Sequence, residues 1–90
     1  MTIKVKIPTL LRALTGEQKE VETTGGTIGE VIENLEQQYP GIRERLMSGE
    51  EVHKFMNIYV NEDDIRFQEK LSTAVSPSDT ITILPAVAGG

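Results

Sequence analysis

Residues 2–7 alternate without interruption: Ile3, Val5 and Ile7 fall on one side of an extended chain, Lys4 and Lys6 on the other. A period of two predicts a strand buried on one face only. Pro8 ends it. The chain then passes Leu10, Leu11 and Leu14 to Thr15-Gly16, and a weaker strand from about Glu17 to Glu22 completes an opening hairpin with a long loop. After a break at Thr24-Gly25-Gly26 the period changes to that of a helix. Ile28, Val31, Ile32, Leu35 and Tyr39 form one apolar stripe, which Pro40-Gly41 terminates. Thr27 and Glu30 stand three apart at its start, a capping box in which Glu30 reaches back to the cap.

Ile42 to Met47 predicts a short turn of helix, and Ser48 to Val52 reads as loop. Phe55 to Val60 is the next strand. Asn61-Glu62-Asp63-Asp64 has turn composition, and Ile65-Arg66-Phe67 is expected to pair back as a short strand. Leu71, Ala74 and Val75 suggest a helical turn under the sheet, and Ser76 to Asp79 turns the chain into a last strand, Thr80 to Leu84.

An apolar sheet face covered by one main helix makes a two-layer α+β domain. The helix stripe should meet Ile3, Val5, Ile7, Ile58, Val60, Ile81 and Ile83. Two hairpins bracketing a helix, with the first and last strands side by side and parallel, give the β-grasp arrangement of ubiquitin, a mixed sheet packed on one main helix. The domain is expected to span residues 1–84, followed by a flexible, extended tail over residues 85–90.

Composition narrows what such a domain can do. Ninety residues suffice for one core but leave little room for a deep catalytic pocket. Net charge is −5 and the nine Lys and Arg are scattered, which argues against nucleic acid as a partner. No apolar run approaches the ~20 residues of a membrane span, and Met1-Thr2-Ile3-Lys4 lacks the apolar core of a secretion signal. A cytoplasmic protein without a membrane partner is expected. With no cysteine and a single histidine, His53, no metal site is expected and no side chain is placed for nucleophilic or acid–base catalysis.

The last two residues carry more information. Gly89-Gly90 is a pair that composition alone would put at a given position roughly once in 200. Pro85, Ala86, Val87 and Ala88 before it are small and uncharged, so the chain is expected to end as a thin arm able to thread narrow channels, with the Gly90 carboxylate as its reactive group. Six residues at ~3.3 Å each span roughly 20 Å, beyond the radius of gyration of about 12 Å expected for this length. Ordering such an arm costs on the order of 1–2 kcal/mol per residue, which docking of the globular face has to offset. Tyr59, Phe67 and Leu84 on the outer sheet face are the candidates for that docking surface, against the plainer reading of scattered apolar residues at edges and loops.

Other local features are weaker. Gly25 to Gly29 precedes a helix N-terminus, where anions bind, yet has neither phosphate-loop spacing. Glu62-Asp63-Asp64 lacks a calcium loop's spacing and reads as a solvated turn. Glu30, Glu33, Glu36 and Gln37 line an exterior helix face, with solvation as the default.

Over essentially its whole length the chain resembles the ThiS/MoaD family of ubiquitin-like sulfur carriers, most specifically in Ile83-Leu84-Pro85-Ala86-Val87-Ala88-Gly89-Gly90. Ile7-Pro8-Thr9, Thr15-Gly16, Gln18-Lys19, Arg45-Leu46-Met47, Asn57-Ile58-Tyr59-Val60-Asn61 and Arg66-Phe67 resemble the branch that supplies sulfur for cysteine synthesis. The resemblance implies a carrier rather than an enzyme, monomeric and without bound cofactor. An E1-like enzyme would join Gly90 to AMP from ATP, and a sulfur donor would displace AMP to leave a 1-thioglycine thiocarboxylate. A pyridoxal-phosphate-dependent cysteine synthase would accept the sulfur, and a JAMM-type metalloprotease would release the cysteine; ATP, pyridoxal phosphate and zinc belong to these partners. Carriers for molybdopterin can share the tail, so delivery to molybdopterin, thiamine or tRNA thiolation stays open. So do a ubiquitin-like modifier, with Gly90 joined to lysines of other proteins, and a passive interaction module.

Overall fold

The computed structural model describes residues 2–54 and 56–85. Strand β1 (Ile3–Lys6) buries Ile3 and Val5 and exposes Lys4 and Lys6, as its alternation requires. It pairs antiparallel with β2 (Glu20–Thr23), Val5 opposite Val21 and Lys6 opposite Glu20. The second strand therefore starts later than its sequence suggested. The link between the two is not an irregular loop: Thr9–Thr15 form a 3₁₀ helix that sinks Leu11 into the core. Gly16, at φ 66°, ends it in the left-handed conformation that glycine accepts without a Cβ penalty.

Helix α1 (Ile28–Gln38) buries Ile28, Val31, Ile32 and Leu35, with Tyr39 partly buried at its C-cap. The Glu30 N–H donates to Thr27 Oγ1 at 3.2 Å, half of the predicted capping box. The other half differs. Glu30 Oε1 accepts from the Gly26 N–H at 2.8 Å, one residue before the cap. Thr27 is extended and bridges Ala74, with the Ile28 N–H donating to Thr73 O and the Val75 N–H to Gly26 O.

Helix α2 (Ile42–Leu46) is the expected short turn. Where a loop was expected, β3 (Met47–Ser48) and β4 (Glu51–Val52) make a small hairpin whose turn uses Gly49 at φ 70°. Strand β5 (Met56–Val60) then pairs with β6 (Asp63–Asp64), not with Ile65–Phe67. Asn61 takes φ 58°, and Val60 stands opposite Asp63 across a two-residue turn, so the returning strand begins two residues early. Asp64 ends it by accepting the Arg66 N–H at 2.9 Å, and Ile65–Phe67 become a 3₁₀ turn that buries Ile65. A second 3₁₀ turn at Lys70–Ser72 takes the place of the helical turn expected there.

Strand β7 (Thr80–Pro85) closes the sheet in the order β2-β1-β7-β5-β6. β1 and β7 are parallel, Lys4 opposite Thr80 and Lys6 opposite Thr82, while β5 and β7 are antiparallel. This is the ubiquitin-like β-grasp, with every predicted contact position from the strands buried in one cluster against α1.

Candidate functional site

Parallel pairing carries β1 and β7 to the same end of the sheet. The polypeptide leaves β7 there, alongside the segment by which β1 enters the Thr9–Thr15 helix. Pro85, read from sequence as the first tail residue, is the last residue of β7, opposite Met56. Ala86, Val87, Ala88, Gly89 and Gly90 lie outside the described residues.

The sheet face away from α1 is set by alternation. Ile58, Ile81 and Ile83 point into the core, so Asn57 and Tyr59 of β5 and Thr80, Thr82 and Leu84 of β7 share the opposite face. Register places Glu20, Lys6, Thr82, Tyr59 and Asp64 in one row across four neighbour pairs. Leu84 stands opposite Asn57, two residues beyond Tyr59's partner Thr82, which makes Tyr59 and Leu84 diagonal neighbours. Tyr59 is half-buried and Leu84 is 46% exposed. Phe67 is not on a strand: it ends the 3₁₀ turn after β6, 82% exposed.

One charged pair borders this face. Arg66 Nη2 donates to Asp64 Oδ2 at 2.9 Å, beside a carboxyl that is itself largely covered. Hydrogen bonding from Arg66 holds the Asp64 carboxyl below the usual carboxylate range although burial acts the other way.

A groove of about 660 Å³ lies beside the end of β7. Lys6, Leu10, Arg12, Lys19, Leu84 and Pro85 contribute to its walls. Of these, only Leu84 and Pro85 were singled out from sequence. The others become visible only with the structure: the 3₁₀ helix places Leu10 and Arg12, and β1–β2 pairing places Lys19, beside the end of β7. A second groove, also about 660 Å³, lies between the β3–β4 hairpin and the 65–72 turns, with His53 in its wall and none of Tyr59, Phe67 or Leu84.

The weaker sequence features are accounted for by structure. At the start of α1 the Gly26, Ile28 and Glu30 N–H groups donate to Glu30, Thr73 and Thr27, so these three donors are taken by the protein itself. Asp64 is committed to Arg66. Glu33 Oε2 accepts from Arg43 Nε at 2.7 Å, and Glu36 accepts the N–H groups of Gly41 and Arg43, tying α1 to the start of α2. The carboxylates expected to be simply solvated thus include structural ones. Bonds from the Arg43 and Gly41 N–H groups hold the Glu36 carboxyl below its ordinary range. Among the described residues, no three His, Asp or Glu are grouped to hold a metal, and no helix is long and apolar enough to cross a membrane.

The profile of the ThiS family matches residues 5–90. The chain belongs to the ThiS family. It is similar to the sulfur carrier protein CysO of Mycobacterium tuberculosis, 54% identical over 93 aligned positions that span all of both chains. The solved structure of that CysO superposes with a TM-score of 0.91 over 94% of this chain and 99% of the other, at 52% identity. A chain of the Amycolatopsis orientalis BexX/CysO complex superposes with a TM-score of 0.93 at 49% identity, over 98% of this chain and 99% of that one. Small archaeal modifier protein 3 of Haloferax volcanii is 33% identical over 71% of this chain and 70% of its own. These likenesses in sequence and structure agree with the β-grasp topology and with the family that the Ile83–Gly90 segment resembles.

Proposed function

We propose that this ThiS-family chain is a cytoplasmic sulfur carrier, and that its cargo is bound for cysteine synthesis. The observation that supports the reading best is full-length similarity to a named sulfur carrier, CysO, joined to a topology that leads the chain out of the sheet at Pro85. In this reading the domain through Pro85 supplies a rigid handle and residues 86–90 the working arm. Five residues beyond Pro85, fully extended, would reach roughly 16 Å, enough to enter a partner's buried site. Gly89 contributes clearance and Gly90 the carboxyl.

The chemistry follows from that carboxyl. A carboxylate resists nucleophilic attack, so an E1-like enzyme first transfers AMP from ATP to a Gly90 oxygen, releasing pyrophosphate. A sulfur donor then attacks the acyl carbon and AMP leaves, giving a thiocarboxylate. Its soft sulfur adds to an acceptor held by a pyridoxal-phosphate-dependent cysteine synthase to give a thioester, the acyl group shifts from sulfur to the amine so that cysteine is amide-linked after Gly90, and a JAMM-type metalloprotease hydrolyses that amide. Tyr59, Phe67 and Leu84 dock the partners.

Similarity to a small archaeal modifier protein favours one second reading, in which activated Gly90 forms isopeptides with lysines. Deletion of Gly90 should abolish ATP-dependent pyrophosphate release by the E1-like enzyme; unchanged release would contradict both readings. Among ATP-dependent products, cysteine linked after Gly90 supports the carrier, and Gly90 isopeptides on cellular lysines support the modifier.

A further inference from the structure

Cations are scarce in this chain, nine against fourteen carboxylates, yet three of them line the groove beside the end of β7. Lys6 points outward from the end of β1, Lys19 is exposed just before β2, and Arg12 lies on the 3₁₀ helix between them. Arg12 Nε donates to Ile7 O at 3.3 Å, which anchors the guanidinium against the end of β1. The ion pairs of Arg43 with Glu33 and of Arg66 with Asp64 involve none of the three. One carboxylate, Glu20, shares the groove, opposite Lys6. Between the charges lie exposed apolar side chains, Leu10 at 53% and Leu84 at 46%.

The geometry points to this groove as the seat for an acidic, partly apolar segment at the mouth of the partner site that receives the tail. The inference rests on the tail reading above. Charge complementarity carries it. The molecule as a whole is negative, so an acidic partner is repelled at a distance and attracted only within a Debye length of about 8–10 Å around the cations. A local patch of minority sign orients docking more than it strengthens it, and here it orients the approach around the point where the chain leaves β7. Leu10 and Leu84 would then be covered by the apolar part of the same segment.

The test is the kinetics of carrier-dependent pyrophosphate release by the E1-like enzyme, using the full chain. Combined Lys6→Gln, Arg12→Gln and Lys19→Gln should raise the KM for carrier about tenfold at low ionic strength, with kcat within about twofold. Raising salt from about 50 to 500 mM should raise the wild-type KM and leave the triple variant's nearly unchanged. Arg45→Gln, on exposed α2 surface, should behave as wild type. Should the triple variant fold poorly, Lys19→Glu alone should raise KM severalfold. Equal KM values and parallel salt dependence would overturn the proposal while leaving the carrier reading intact. A wild-type chain that is never adenylated would overturn both.

Discussion

Phe67 is the most water-exposed large apolar side chain among the described residues at 82%, and Leu84, at 46%, lies on the sheet face that α1 does not cover. Neither is held by the core, so Phe67→Ser is predicted to change unfolding free energy by no more than about 0.5 kcal/mol. The same substitution should weaken docking to the E1-like enzyme, read as a raised KM; unchanged KM would remove Phe67 from the docking surface. Glu36 behaves oppositely. Its carboxylate holds two N–H groups at the α1–α2 junction, so its pKa is depressed in the folded state. A depressed carboxyl contributes stability that is present above the unfolded-state pKa, near 4.3, and is lost as pH falls through the folded value. Glu36→Gln should therefore lower the thermal midpoint at pH 7, with the difference closing below about pH 4. Sequence spacing showed Glu36 on the outer helix face but not these bonds, because the partners are backbone groups that Gly41, at φ 103°, brings round beneath it.

At the scale of elements, strong periodicity translated directly. β1 and α1 each bury one face because their patterns allow no other orientation, and Leu35, 1% exposed, sits at the centre of the helix stripe. Leu35→Ala is predicted to cost about 2–5 kcal/mol, measured by chemical denaturation. Thr27→Ala should cost about 1 kcal/mol through loss of the bond from the Glu30 N–H. Short elements were harder to read. The Thr9–Thr15 3₁₀ helix, the β3–β4 hairpin and the early start of β6 have no repeating pattern to report them. They are fixed by left-handed residues at Gly16, Gly49 and Asn61, by the Asp64 cap, and by burial of Leu11 and Ile65. The cationic groove escaped the sequence reading for a related reason: Lys6, Arg12 and Lys19 are dispersed along the chain and are brought together by the antiparallel β1–β2 pairing and the 3₁₀ helix that links the two strands.

For the whole molecule, the arrangement of β1 beside β7 connects fold to function. A final strand that lies in the middle of the sheet and runs parallel to the first brings Pro85 to the end of the sheet where residues 6–12 lie. The buried core among the described residues is complete by Ile83, so removal of residues 86–90 is predicted to shift the thermal midpoint by less than about 2 °C while abolishing adenylation. The most direct measurement is intact and fragment mass after incubation of the chain with ATP, a sulfide source and its E1-like enzyme. Replacement of one oxygen by sulfur, localised to Gly90, is the predicted result; adenylation at Gly90 with no sulfur incorporated, or sulfur at any other residue, would contradict it.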